Sequence, residues 1–370
     1  MSPDEGRVST APALVIREAG DADLPATLKC MDEVFHESGG ERVQEFDRDY
    51  WMWQYRGGSQ PAVVLIAEDP GGVCGYYHAV LHDLNVDGRP VRAAMVQDVG
   101  TRASHRGRGV FRAMGGRALE SLRERGVDFI YTFPNRKSLP SFVRNHGYTI
   151  VERVPVMLLP LDLGRGLAER GHLGALGRVA GGAMAGIWRG VRGGSTRPRP
   201  GESIEAPATV SPGLATCVLA GGGPGIIALA RSPGYLTWRF VESPHRRYRL
   251  HTLVRDGIAQ AYLFSRDAEI LGTPVTLIMD LGHRPGEEDA LGRLVRIRAV
   301  EERGAGRVAS VSMCLGPERR ILAHAGYLRI PERLNPRPFN LLVKDLSNTR
   351  RDHLLDATRW RITLADWDVY

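Results

Sequence analysis

The stretch Asp98-Val-Gly-Thr-Arg-Ala-Ser-His-Arg-Gly-Arg-Gly-Val-Phe-Arg112 constrains the fold more than any other part of the chain. Ala93 to Gly100 is mostly apolar and reads as a strand, which two glycines one residue apart, Gly107 and Gly109, then break. A helix follows, marked by a stripe at Val110, Met114, Ala118 and Leu122 and supported by Phe111 and Leu119, and it stops at Gly126. A glycine turn feeding a helix N-terminus leaves amide N–H groups pointing outward, with the positive end of the helix dipole behind them. Such a turn cradles an anion. Arg106, Arg108 and Arg112 add mobile charge beside it, which suits a ligand with several phosphates. The plainer alternative is a tight, solvent-facing turn.

After Gly126 a short strand, Val127 to Phe133, ends at Pro134-Asn135, and Ser138-Leu-Pro140 opens a second helix that runs through Phe142 to Gly147-Tyr148. This order of strand, glycine turn, helix, strand, Asn and helix resembles the acyl-CoA N-acyltransferase superfamily known as GNAT, over about residues 60 to 156. The resemblance implies that the turn (Arg106, Gly107, Arg108, Gly109, Val110, Phe111 and Arg112) holds the CoA pyrophosphate. It implies that backbone N–H groups around Val99, Gly100 and Thr101 meet pantetheine and the oxyanion, with Asn135, Ser138 and Phe142 beside the pantetheine arm. Two features depart from the family. Phe111 stands where the turn has a small residue, and Phe142 stands where a tyrosine often protonates the leaving thiolate.

Acyl transfer from a thioester to an amine requires the amine to lose a proton, and primary amines titrate near ~10. Asp98, the carboxylate on the strand before the turn, is the first candidate base. Its alternative is a structural bond to nearby backbone. His78 and His82 alternate on a neighbouring strand and are either proton relays or ordinary surface histidines, while His105 is expected to face phosphate or solvent. Tyr148 and Tyr131 are candidate acids; Tyr148, after a glycine, is equally explained as core packing.

The chain repeats itself. Tyr50 and Trp53 in Arg48 to Tyr55 match Tyr235 and Trp238 in Pro233 to Phe240. Gln97-Asp-Val-Gly-Thr-Arg102 matches Met279-Asp-Leu-Gly-His-Arg284, and Asn145-His-Gly-Tyr148 matches His324-Ala-Gly-Tyr327. Three matches in order suggest two copies of one fold. The second copy replaces the glycine turn with Pro285-Gly-Glu-Glu-Asp289, whose carboxylates at a helix N-terminus repel a pyrophosphate. It is expected to be degenerate, as in other tandem members of the superfamily.

The expected fold class is α/β (α+β): two tandem GNAT-like domains, each a mixed, mostly antiparallel sheet flanked by helices. The expected segments are a disordered lead at 1–11, an N-terminal domain at 12–160, a basic Gly/Ala/Arg-rich helix with a Pro-containing linker at 161–208, and a C-terminal copy at 209–370. Within 164–193 the apolar run is too short for the ~20 residues of a membrane span. It reads as an amphipathic helix on a membrane surface or as one packed between domains. The aromatics Tyr50, Trp51, Trp53 and Tyr55 either stack on an acceptor or pack in the core. Trp360 to Tyr370 reads as a final strand, with Asp366 and Asp368 either presenting carboxylates to a cationic acceptor or guarding an edge.

Composition narrows the compartment more than the partner. A net charge of +7 over 370 residues suits phosphorylated cofactors, anionic membranes or RNA alike. The four cysteines are scattered and the N-terminus lacks an apolar signal core, so a reducing cytoplasm is expected, with neither a zinc knuckle nor a disulfide scaffold. The reading is an acetyl-CoA-dependent N-acetyltransferase (or one using another acyl-CoA) that acts on a small-molecule amine or sugar precursor, with no metal and no DNA partner. A non-catalytic scaffold and an aminoacyl-tRNA-dependent transferase are the alternatives.

Overall fold

The computed structural model describes residues 14–37, 47–58, 61–162, 195–219, 223–335, 339–348 and 351–367. The expected lead at 1–11, most of the basic segment at 161–208 and Asp368 therefore lie outside the described residues.

The strands in chain order are β1 (Val15–Glu18), β2 (Ala62–Asp69), β3 (Gly72–Val86), β4 (Arg89–Thr101), β5 (Phe129–Thr132), β6 (Thr149–Arg153), β7 (Val156–Pro160) and β8 (Glu202–Glu205). The second half adds β9 (Ile227–Leu229), β10 (Arg249–Arg255), β11 (Ile258–Ile270), β12 (Thr273–His283), β13 (Ala309–Met313), β14 (Leu328–Arg329), β15 (Asn340–Asp345) and β16 (Trp360–Arg361). They form two mixed sheets. The first runs β1-β2-β3-β4-β5-β15-β6, with β9 joined to β3 and β16 to β9; the second runs β14-β7-β13-β12-β11-β10-β8. Each keeps one parallel pair at its centre, β4 with β5 and β12 with β13, among antiparallel neighbours.

The sheets do not follow the expected cut between residues 160 and 161. Strand β7 lies in the second sheet between β13 and β14, and β15 inserts into the first between β5 and β6. Each copy therefore receives its late strand from the other. Strand β8 corrects the expectation that the Pro-containing end of 161–208 is only linker, since it pairs with β10.

Helices α1 (Leu24–Glu37) and α2 (Arg48–Tyr55) cover one face of the first sheet, burying Cys30, Met31 and Trp51 against Val64, Ile66, Tyr76 and Val80. On the opposite face, α3 (Val110–Glu124) and α4 (Leu139–His146) bury Met114, Leu122 and Phe142 against Leu65, Tyr77 and Ile130. The helix Glu288–Gly304 packs likewise on Leu263, Ile278 and Leu281. The largest core cluster belongs to both halves, joining Trp53, Met95 and Tyr131 to Trp238, Phe264, Trp360 and Trp367. Burial of this apolar surface ties the copies into one body. No helix among the described residues is long and apolar enough to cross a membrane.

Candidate functional site

The anion cradle forms as the glycines require. Gly109 caps α3 in the left-handed region (φ 81) with no side-chain cap bond, and Gly107 is left-handed as well (φ 74). A Cβ at either position would meet nothing within 4 Å, so the turn faces open space. Glycine is there for its backbone angle and for the approach of a ligand. Arg108 and Arg112 are exposed beside it, whereas Val110 and Phe111 turn inward and leave only their amides for a ligand. The Phe111 ring lies edge-on to Phe142 at 5.5 Å.

Arg106 is already engaged. Its Nε donates to the Thr101 carbonyl at 3.0 Å and its guanidinium pairs with Glu37 at 2.8 Å. Glu37 also accepts from the Ala103 amide at 2.7 Å, so the end of α1 braces the loop. His105 does not face phosphate: its Nε2 lies 2.9 Å from Asp69.

Strand β4 parts from β5 after Val96↔Thr132 but stays paired to β3 as far as Thr101. Gln97 to Thr101 thus has no strand neighbour on the β5 side, which leaves one edge of the backbone to hydrogen-bond a ligand arm. At the parting lies a β-bulge. Tyr77 faces Val99 and His78 faces Gln97, so Asp98 is the extra residue, in the left-handed region at φ 42. A non-glycine residue held there marks a site where the fold re-aims a side chain. The Asp98 carboxylate is half-buried and accepts a short hydrogen bond from the Tyr55 phenol of α2. Gln97 Nε2 donates in turn to the Tyr55 oxygen at 3.3 Å. Gly100 leaves room for Tyr76, whose hydroxyl would lie 2.5 Å from a Cβ at that position.

Several expected residues sit elsewhere. His78 is fully buried (0 % exposed) among Trp51, Tyr55 and Tyr76; burial, with the Arg56 charge, pushes its pKa down to about 3, which makes it a poor relay at neutral pH. His82 is buried near Tyr131 and Tyr235 and is likewise lowered, to about 4. Neither is a surface histidine. Tyr148 is 2 % exposed and packs edge-on against Phe142, itself 1 % exposed, so both belong to the core under α3 rather than to the cleft wall. Tyr131 is buried on the opposite face. Asn135 is exposed, and its Oδ1 accepts from the amides of Lys137 and Ser138 at 2.9 and 3.0 Å. It braces the start of α4 while its amide nitrogen stays available. Thr101 is buried.

The bond missed from the sequence is the one between Tyr55 and Asp98. The aromatic helix carried a signal, but nothing local connects residues 55 and 98. Of the two readings of Tyr50, Trp51, Trp53 and Tyr55, core packing is the one that holds, since all four side chains are buried.

The second copy is closed at both corresponding points. Its helix begins at Glu288 after a turn that has one left-handed glycine, Gly286 (φ 79), in place of two, and Glu287 and Asp289 are paired with Arg255 and Arg293. The gap between β12 and β13 is filled by the chain's own Trp360 to Asp366. Leu315 and Ile362 exchange backbone bonds at 2.9 and 2.8 Å, and Arg361 donates to the Leu281 carbonyl. Asp280, the counterpart of Asp98, is 0 % exposed and bonds Arg231 at 2.7 Å, Tyr262 at 3.0 Å and Thr363 at 3.0 Å. Asp366 completes this network 2.9 Å from Arg231. It is a buried structural group, and only Trp360–Arg361 of the expected final strand is extended. Among the described residues no cluster of His, Cys, Asp or Glu could hold a metal ion.

Comparison with known proteins agrees with this geometry. Residues 15–151 match the family model of the acetyltransferase (GNAT) domain. No curated protein matches the chain. Among solved structures, a GCN5-related N-acetyltransferase from Anabaena variabilis is similar with a TM-score of 0.61 at 12% identity, covering 90% of this chain and 73% of that one. A tandem GNAT protein from the clavulanic acid biosynthesis pathway has a TM-score of 0.54 at 13% identity, over 90% of this chain and 98% of that one. Saccharomyces cerevisiae N-myristoyltransferase with bound myristoyl-CoA has a TM-score of 0.57 at 9% identity, over 91% and 85%. At these identities the likeness is one of fold, and the fold is the tandem one.

Proposed function

We propose, on the premise that this chain belongs to the GNAT acetyltransferases through residues 15–151, that it is an acyl-CoA-dependent N-acyltransferase whose first copy performs the transfer. The observation that carries the reading is the arrangement along β4: a strand parting from its neighbour after Val96, a bulge that turns out Asp98, and the Gly107–Gly109 cradle at the strand's far end.

A bound acyl-CoA would supply an activated thioester, with acetyl-CoA the expected donor; the chain's residues do the rest. The amides of the turn and the exposed Arg108 and Arg112 hold phosphate. The open edge of Gln97 to Thr101 orients the arm and meets negative charge on the acyl oxygen. Asp98 takes a proton from the attacking amine, which is protonated in water at neutral pH. Because Tyr148 is buried and Phe142 has no proton to give, the sulfur departs without either as acid. The acceptor is a primary amine on a small molecule or sugar precursor. The four buried free thiols support a reducing, cytoplasmic setting.

Release of free CoA thiol, followed with acetyl-CoA over a panel of primary amines, tests the reading. Asp98→Asn is expected to lose about 100-fold in kcat/KM while still binding acyl-CoA. Equal rates for wild type and the variant would remove Asp98 as base.

A further inference from the structure

Tyr76 of β3 stands directly across from Gly100 of β4. Its ring lies on the face covered by α1 and α2, and the tip of the ring crosses β4: Cζ and Oη both lie 2.5 Å from the position a Gly100 Cβ would take. Adjacent strands are about 4.8 Å apart, so a tyrosine reaches over its neighbour's backbone only where that neighbour has no side chain in the way. Past Gly100 lies the edge of Gln97 to Thr101 that β5 has left. The pairing therefore carries a phenol hydroxyl toward that open edge. Tyr76 is 6 % exposed, and among the described residues its hydroxyl has no hydrogen-bond partner. A polar group this enclosed calls for one.

The second copy repeats the pairing and shows what the hydroxyl does when its role is structural. Tyr262 stands across from Gly282, and its ring tip crosses that glycine in the same way, with Oη 3.0 Å from where a Cβ would be. There the phenol donates to Asp280 at 3.0 Å inside a network closed from solvent. In the first copy the corresponding aspartate takes its phenol from elsewhere, from Tyr55 of α2, and the Tyr76 hydroxyl stays unbonded. The first copy is also the one whose strand leads to the Gly107–Gly109 cradle. An acyl-CoA laid along β4 from the cradle presents its sulfur before its acyl carbon, and Gly100 lies between the cradle and Asp98.

We propose that Tyr76 is a catalytic residue of the transfer, a fixed hydrogen-bond donor to the departing sulfur. The inference rests on the acyl-CoA reading of the first copy. Tyr76 donates as the carbon–sulfur bond breaks and its electron pair passes to sulfur; it keeps its own proton, and the released thiolate takes one from solvent. The groups facing it are Asp98 of β4, Cys30 of α1, His78 of its own strand and Arg106 of the loop. Burial first, then Asp98 and Cys30, hold the phenol well above its ordinary value against the opposing Arg106 charge. It is therefore a neutral donor throughout the working range. His78, pushed down to about 3, carries no charge there either.

Tyr76→Phe keeps the ring on Gly100, breaks no hydrogen bond of the free protein and removes the donor. Two readouts test it. The first is the titration of the thiol of bound CoA, followed by carbon NMR on CoA labelled beside the sulfur; it needs no knowledge of the acceptor. The midpoint is expected to move to higher pH in Tyr76→Phe, because the thiolate loses a donor. Tyr148→Phe, which removes a phenol from the core under α3, is expected to leave it in place. The second is turnover, in which kcat is expected to fall at least about tenfold in Tyr76→Phe while KM for acetyl-CoA holds. If CoA binds the variant and its thiol titrates as on wild type, the role of Tyr76 is overturned and the acyl-CoA reading stands. A wild type that binds no CoA would overturn that reading, and the role with it.

Discussion

Trp53 and Trp238 stack at 4.8 Å with their planes 20° apart, and each indole N–H donates to the other's backbone carbonyl, at 3.0 and 3.1 Å. They are equivalent residues of the two copies, so the repeat meets itself at an approximate two-fold relation, deep in the shared core. Trp238→Ala removes a buried aromatic and the hydrogen bond its indole donates to the Trp53 carbonyl, and is expected to cost at least ~3 kcal/mol in urea unfolding. A loss below ~1 kcal/mol would show that the halves do not depend on this contact.

Acid stability carries a signature of the buried histidines. His78 is pushed down to about 3 and His82, His146 and His251 to about 4, in each case chiefly by burial. The unfolded chain takes up protons at these sites below about pH 6.5 while the folded chain does not. Stability should be flat above that value and fall as pH drops toward 4, by on the order of 1 kcal/mol per pH unit for each histidine. Both ring nitrogens of His78 lack a hydrogen-bond partner. His78→Phe should therefore fold at pH 7 without loss and show a shallower acid slope in chemical denaturation. An unchanged slope would mean that His78 is protonated in the folded state.

The equivalent aspartates should respond differently to one substitution. Asp280→Asn leaves the buried Arg231 with a weakened counter-charge and is expected to cost ~3–5 kcal/mol. Asp98→Asn changes a half-exposed carboxylate held by a phenol, and ~1 kcal/mol is the expected scale. Burial raises the pKa of Asp280, but Arg231 and Arg361 outweigh it and hold it below its ordinary value, so this contribution is present above the ordinary carboxylate range and is lost as pH falls through the folded value. Urea titrations of the two variants side by side measure the contrast; equal costs would mean that the copies use the position alike.

Local patterns carried much of this into view from the sequence. The glycine turn, the α3 stripe that the structure closes at Glu124, and the matched Tyr-Trp and Asp-x-Gly motifs are short-range signals, and each lies where expected. Partner choice was not legible. No local signal says which sheet receives the strands at 156–160 and 340–345, and they are exchanged. The C-terminal acids were read on their own, whereas Asp366 is held both by the nearby Thr363 amide and by Arg231, far away in sequence. Tyr148, Phe142 and His78 carry polar or family-linked expectations that burial overrides, because exposure is a property of the packed pair of sheets rather than of a motif.

Acyl-CoA binding tests the central claim most directly. Calorimetry with acetyl-CoA should give one site per chain, since the second copy has carboxylates at its helix start and Trp360 to Asp366 in its gap. At about a hundred times its dissociation constant the ligand should add ~2.7 kcal/mol of stability, readable as a thermal shift. Gly109→Glu places a charge and a strained residue in the cradle, at φ 81, and should fold yet show neither heat nor shift. Two sites per chain, or a Gly109→Glu variant that binds as wild type does, would contradict the account.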